Sequence, residues 1–353
     1  MLHGKRKLTE FLTTLAMVVA TASDVSTSAQ APEDRALDLV SQQFLWRNRY
    51  QYVMGGAVRF LLFWVGKDDV GGGYVLLGQG AEDPSLEGVK LVFGSAPEKA
   101  PRQINLWGVA TEVVQRGSDL SHRTSAFFGF RKRTEDEVPE RANALRPNAE
   151  AGPERALGFV GASLNYNDSQ RVFGRSTRFF TQRDFALSEL EEVEQMVISR
   201  ITEVEGQDRN LTAEERQTCE RVPGFLVTLK EMTDEIVRDR APSIERCYFY
   251  NARLYTISVT SVSLVARHVV RIEREGGERI EQAYPDLVQA RFQVLNHETG
   301  EKTSFTLLVG TAGPWRGVPI RVVYRPSWWI QIFLNLESVA AETATSPPPA
   351  VQR

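Results

Sequence analysis

The chain has 353 residues, of which 42% are hydrophobic and 25% are charged, and its formal net charge is -3. This composition is typical of a globular protein with a large core, and it excludes disorder as the general state of the chain. The slight acidity argues against a nucleic-acid partner, because such binders present a basic surface.

The first 31 residues have the three parts of an export signal. MLHGKRK is basic, FLTTLAMVVA is apolar, and SAQA ends in small residues of the kind found at cleavage sites. A membrane anchor is the alternative, but a spanning helix needs roughly 20 apolar residues and this run is shorter. We therefore predict a signal peptide over 1–31, a secreted or periplasmic location, and no membrane span after cleavage.

Two cysteines, Cys219 and Cys247, follow the predicted signal. In an oxidising compartment an even number of cysteines favours a disulfide, and two cysteines allow a single pairing. Such a bridge would stabilise the fold by about 3 to 4 kcal/mol. The alternative is a pair of separate buried thiols.

The mature chain is predicted to open with a helix and to continue as strands. Apolar residues recur at helical spacing over 36–52, and AVRFLLFWV (57–65) is apolar on both faces, as in a strand covered on two sides. KDDVGGGYVLLGQG (67–80) follows, and we interpret its glycines Gly71–Gly73 as a hairpin turn with positive φ. Residues 32–182 are thus predicted to form a β-rich N-terminal lobe.

Residues 183–242 are predicted to form a helical hairpin. Ser188 with Glu191 and Thr212 with Glu215 have the spacing of capping boxes, which mark helix starts. Apolar residues follow each box at helical spacing: Leu190, Val193, Val197 and Ile201 in the first stretch, and Phe225, Leu229, Met232 and Ile236 in the second.

Residues 243–338 show the clearest two-residue alternation and are predicted to form an antiparallel C-terminal lobe. RFQVLN and TSFTLLVG flank HETGEK, which predicts a hairpin with Gly300 in its turn. Residues 339–353 are rich in Ala, Thr, Ser and Pro and are predicted to be a disordered tail. The expected fold class is therefore α+β and antiparallel β-rich, with two strand groups separated by a helical hairpin insert, and we favour two lobes over one sheet.

No motif in the sequence carries a reaction. The glycine segment lacks GK[ST] and is not followed by a helix, so it does not match a phosphate loop, and Asp68 and Asp69 lack the alternation of a calcium loop. His122 lies among acids and hydroxyls in SDLSHRTS, although a solvated loop histidine is the ordinary reading. We retain His122, Asp68 and Asp69 as weak catalytic candidates and predict no cofactor and no metal site, since HETG lacks the second histidine of a zinc motif.

Aromatic residues offer a binding surface instead. Trp315, Trp328 and Trp329 are candidates for contact with a glycan or an apolar small molecule, with a place in the core as the alternative reading. We therefore expect an exported, non-enzymatic binding or protein-interaction module, whose partner is a protein, a glycan or an apolar small molecule. The alternatives are a secreted or periplasmic hydrolase with a site assembled from loops, and a carrier of apolar ligands.

Overall fold

The computed structural model describes most of the chain beyond the predicted signal peptide, which lies outside the described residues. The described residues are 44–60, 63–96, 99, 106–115, 122–131, 143–144, 158–168, 170–181, 185–201, 204–219, 224–240, 243–273, 277–327 and 330–341.

Strands dominate this part of the chain, and three helices occur between the eighth strand and the tenth. The strands are β1 (Phe44–Phe60), β2 (Phe63–Gly80), β3 (Leu86–Ser95), β4 (Leu106–Gln115), β5 (His122–Arg131), β6 (Asn143–Ala144), β7 (Gly158–Asn167), β8 (Arg171–Thr181), β9 (Gln207–Asn210), β10 (Glu245–Tyr250), β11 (Arg253–Glu273), β12 (Arg279–Asn296), β13 (Lys302–Gly310), β14 (Pro319–Ser327) and β15 (Ile330–Ala341). The helices are α1 (Leu190–Ile201), α2 (Ala213–Thr218) and α3 (Phe225–Asp239).

All of these strands belong to one sheet, with the order β10-β11-β12-β13-β14-β15-β1-β2-β3-β4-β5-β7-β8-β6 and with β9 paired to β8. The pairings are antiparallel except between β6 and β8. The two predicted strand groups join where β15 pairs with β1, for example Val58 with Ile330. The antiparallel, β-rich prediction is confirmed. The strands form one sheet, whereas the sequence favours two lobes that share an interface, and the lobe boundaries remain a prediction.

The predicted helical hairpin insert is confirmed in part: helices lie between the two strand groups. They do not pack on each other as a hairpin, because α1 and α3 lie on opposite faces of β4. Val109 of β4 packs in the cluster that contains Leu190 of α1, whereas its neighbour Ala110 packs with Met232 of α3. Between the helices, β9 pairs with β8. Each apolar helix stripe is therefore buried against the sheet, since successive side chains of a strand point to opposite faces.

The predicted opening helix is also wrong over 44–52, which belong to β1, while 36–43 lie outside the described residues. Phe44 and Trp46 are buried and their rings stack at 5.2 Å, whereas Leu45 between them is exposed. This two-residue alternation of aromatic side chains is a strand pattern. At the other end β15 continues to Ala341, so the predicted disordered tail is wrong over 339–341. Residues 342–353 lie outside the described residues, and their disorder stays a prediction.

The triple glycine is not a turn. β2 runs through it, with Gly71 opposite Ser95 and Gly73 opposite Phe93. A Cβ on Gly71 would lie 2.1 Å from a backbone oxygen of β3, and one on Gly73 would lie 2.2 Å from another. The glycines therefore permit close approach of two strands, and the chain reverses earlier, between Phe60 and Phe63.

Two local predictions are confirmed. β12 and β13 form the predicted hairpin, with Gly300 at φ 69 in its turn and with Phe292 stacked on Phe305 at 5.1 Å. Cys219 and Cys247 are joined by a disulfide with Cα atoms 5.7 Å apart. The bridge ties the end of α2 to β10.

The sheet curls until opposite ends of its strand order meet. The turn between β10 and β11 rests on β7 and β8, where the Asn251 N–H donates to Asn165 Oδ1 at 2.6 Å. A Cβ on Gly174 of β8 would lie 2.5 Å from the Asn251 Cα. The distal half of the β11–β12 hairpin then covers the outer face near Val318 and Leu336.

Candidate functional site

The structure does not bring the predicted catalytic residues together. His122 begins β5, and its register row runs through Val114 and Glu87 to Gln79, near the end of β2. Asp68 and Asp69 lie near the beginning of the same strand. The fold does not place these three residues at one location. A catalytic site composed of them therefore stays a prediction.

Asp68 and Asp69 have separate surroundings. Asp69 forms an ion pair with Lys99 at 2.9 Å. Burial lowers the pKa of Arg321, and the charge of Asp68 opposes that shift. Burial, followed by the charge of Arg321, lowers the pKa of His268. This arrangement favours a neutral imidazole beside a guanidinium and does not link the two carboxylates to one reacting position.

Of the three tryptophans predicted to bind a ligand, the structure describes the side chain of Trp315. Its half-buried ring makes an edge-on contact with Tyr284 at 5.2 Å between centroids, so it packs under the distal β11–β12 hairpin. Trp328 and Trp329 lie outside the described residues. Their flanking residues Ser327 and Ile330 pair with each other, and ligand binding there stays a prediction.

A different apolar surface stands out at the end of the β1–β2 hairpin. We call Val58, Arg59, Phe63, Trp64 and Val65 the hairpin tip. Its apolar side chains are exposed, with relative accessibilities of 72% at Phe63, 65% at Val65, 40% at Trp64 and 39% at Val58. They are four of the seven large hydrophobic side chains that are exposed in the described part of the chain, so exposed apolar area is concentrated here.

The hairpin tip has two apolar faces. Val58 pairs with Val65, and Phe63 lies two positions from Val65, so these three side chains share one face. Trp64 pairs with Arg59 and lies on the other face. The face of Phe63 and Val65 is largely uncovered, and Trp64 on the other face is partly exposed.

Positive charge surrounds the hairpin tip. The Arg325 guanidinium carbon lies 5.5 Å from the Trp64 ring centroid, within the range of a cation–π contact. Arg59 lies within the tip and Lys67 follows it, while the sequence contains no acid from residue 57 to residue 67. The site is therefore an aromatic projection with a basic rim, a combination suited to binding rather than to proton transfer.

Buried ionic groups occur elsewhere, under α1. The Lys90 ammonium lies 2.8 Å from Glu194 Oε2, and the Thr111 hydroxyl donates to Glu194 Oε1 at 2.8 Å. Burial opposes the charge of Lys90, but attraction to Glu194 and then Glu191 outweighs it and raises the Lys90 pKa. The Tyr74 hydroxyl donates to Glu191 at 2.5 Å. These contacts join β2, β3 and β4 to the helix, so we infer that they stabilise the fold and do not form a reactive site.

A second buried carboxylate lies on the other face of β4. Glu112 accepts a hydrogen bond from the Val227 N–H at 2.8 Å, in the first turn of α3, where a negative charge is stabilised by the free N–H groups. Burial raises the pKa of Tyr248 nearby, and the charges of Tyr255 and Glu112 raise it further. This group, too, fixes a helix to the sheet.

The described ranges contain neither a metal-ion cluster nor a helix that could span a membrane. Within them, no three His, Cys, Asp or Glu side chains are arranged so that they could hold a metal ion. Likewise, no helix described by the structure has both the length and the apolarity needed to cross a bilayer.

Comparisons with known proteins give a fold likeness alone. No protein family matches the sequence, and no curated protein matches it either. A crystal structure described as a beta-barrel-like protein of domain of unknown function DUF1849, from Brucella abortus, aligns with 84% of this chain and 98% of its own, with a TM-score of 0.39 and 6% identity. A likeness at this level says nothing about what this chain binds.

Proposed function

We propose that the chain is an exported binding protein whose contact surface is the hairpin tip. The observation that carries the proposal is the exposure of Phe63, Trp64 and Val65 together at the end of one hairpin. Contiguous exposed apolar surface of this kind marks interaction sites, because leaving it in water costs free energy that a partner recovers.

Two further features support export and binding. The disulfide between Cys219 and Cys247 is of the kind that persists in oxidising compartments. The ionisable groups under α1 and at the start of α3 already have partners within the fold. At the hairpin tip, by contrast, Phe63 and Val65 stay mostly uncovered by the described part of the chain.

Site-specific photocrosslinking tests the proposal. The full chain carries a benzophenone amino acid in place of Phe63 and, as a matched control, in place of Leu45, which is also exposed and apolar on β1. The control lies roughly 50 Å away along the strand at about 3.3 Å per residue. In the cells that make the protein, we expect adducts at position 63 that position 45 does not form. Equal or absent adducts at the two positions would refute the proposal.

The hydrolase alternative has its own test. The purified chain is screened on esters, peptides and glycans, together with variants His122→Ala and Asp68→Ala. Hydrolysis that disappears in either folded variant would contradict the binding proposal and support a site at those residues.

A further inference from the structure

We infer that the partner of the hairpin tip is an anionic lipid surface, into which the tip inserts from one side. This inference rests on the proposed function and adds the class of partner. It follows from three properties of the tip: its two exposed faces, its length and the sign of its charge.

The two faces decide between a lipid surface and a protein. A flat protein surface would cover one side of the strand pair, and a protein partner would need a cleft around the hairpin to cover both sides. Here Phe63 and Val65 are exposed on one face and Trp64 on the other. A lipid layer surrounds an inserted hairpin and removes both faces from water together.

The length of the tip matches interfacial insertion. From Val58 to Phe60, the last residue of β1, the strand advances about 7 Å. Amphipathic segments that lie in a membrane interface bury their apolar side chains by about 5–10 Å, at the boundary between headgroups and acyl chains. Trp64 also suits this depth, since the indole ring has an apolar body and a polar N–H and is enriched at membrane interfaces.

The charge around the tip selects the kind of lipid. Arg59, Lys67 and Arg325 form its basic rim, and the nearest acid in the sequence of the hairpin is Asp68, the residue after Lys67. Each basic side chain near an anionic surface is worth about 1 kcal/mol at ordinary salt. Anionic vesicles should therefore be bound more tightly than zwitterionic ones, and salt should weaken the binding.

Vesicle sedimentation tests this inference with the full chain. The probes are vesicles of phosphatidylglycerol mixed with phosphatidylcholine and vesicles of phosphatidylcholine alone. We expect the double variant Phe63→Ser/Val65→Ser to bind the anionic vesicles at least about tenfold more weakly, because each lost side chain contributes more than 1 kcal/mol when it is buried. Arg325→Gln should weaken binding by about fivefold, the equivalent of one basic residue.

Leu45→Ser is the matched control, because it removes an exposed apolar side chain from β1 outside the tip. It should bind as the wild type does, and thermal unfolding should show that every variant is folded. Failure of the wild type to bind anionic vesicles would overturn the inference. So would a folded double variant that still binds normally, or a tip-dependent self-association without vesicles.

The photocrosslinking experiment separates this inference from the proposed function. A protein adduct formed specifically at position 63, without vesicle binding, would overturn the lipid inference and leave the binding proposal standing. If neither adducts nor vesicle binding depend on the tip, both fail.

Discussion

Replacement of Lys90 by Met should destabilise the fold by about 3 to 5 kcal/mol, because it leaves the carboxylate of Glu194 buried without its cation. The two side chains are 13% and 5% exposed, and their charged atoms are 2.8 Å apart. Glu194 would retain the Thr111 hydroxyl, but a neutral donor does not replace a positive charge. Methionine fills much of the lysine volume, so the loss reports charge rather than a cavity.

A double-mutant cycle isolates the interaction. Glu194→Gln alone should also be costly, since it leaves Lys90 buried beside a neutral amide. Lys90→Met combined with Glu194→Gln should recover at least about 2 kcal/mol of the summed losses, because the charges are removed together. The matched control is Glu191→Gln. Glu191 is 60% exposed and 3.8 Å from Lys90, so this change should cost less than about 1 kcal/mol.

Urea unfolding followed by tryptophan fluorescence measures these free energies, and its pH dependence gives a second test. The Lys90 pKa is raised above its ordinary value of 10.5. The contribution of Lys90 to the free energy of unfolding is therefore complete below pH 10.5 and is lost as the pH rises through the folded-state pKa. A loss below about 1 kcal/mol for Lys90→Met, or single losses that simply add in the double variant, would refute this account of the pair.

Three further predictions concern other parts of the fold. Cys219→Ser/Cys247→Ser should lose about 3 to 4 kcal/mol in urea unfolding and should resemble the reduced wild type; an unchanged midpoint would contradict the stabilising role of the bridge. Gly174→Val should lower the melting temperature strongly, because a Cβ there would lie 2.5 Å from the backbone of the β10–β11 turn. The control Gly94→Ala should be tolerated, because its Cβ would meet nothing closer than 3.5 Å. Equal effects of the two substitutions would disprove the close contact. The pKa of His268 is lowered from its ordinary value of 6.5. The contribution of His268 to stability is therefore complete above pH 6.5 and is lost as the pH falls through the folded-state pKa. If His268→Gln melts with the same acid dependence as the wild type, that histidine is not responsible for the loss of stability in acid.

Local patterns in the sequence were sufficient where one face of an element is buried and the other is not. The β12–β13 hairpin alternates buried Phe292 and Val294 with more accessible neighbours, and Gly300 supplies the positive φ of its turn. The stripe from Leu190 to Ile201 likewise predicted α1, and Thr212 with Glu215 caps α2 as expected. In these segments the spacing of the apolar residues and the residues at the turns and helix caps indicate the same structure.

Sequence patterns failed where partners distant in the chain decide the structure. The run from Ala57 to Val65 reads as a doubly covered strand, because periodicity does not distinguish a buried apolar run from an exposed hairpin end. The reversal between Phe60 and Phe63 contains no Gly, Pro, Asn or Asp to mark it. The hairpin tip was therefore missed, and the glycines that were interpreted as its turn lie within β2.

The helical insert shows the same limit. The helices were predicted from their apolar stripes, but the stripes do not state which surface each will contact. Val109 and Ala110 face opposite ways on β4, so one strand provides a surface to both helices. The helices pack on the sheet rather than on each other because β4 is buried on both faces. The spacing of apolar residues within a helix gives no information about the burial of that strand.

The pairing of β15 with β1 has a consequence for how the chain acquires its structure. The Tyr52 hydroxyl donates to the Pro319 carbonyl at 2.9 Å across 267 residues, so neighbours in the middle of the sheet are remote along the polypeptide. Contacts of this kind raise the contact order and slow folding. Until β15 has emerged, β1 presents one unsatisfied backbone edge, which can pair with other chains. We therefore expect a holding chaperone to increase the yield of the native protein during its biogenesis.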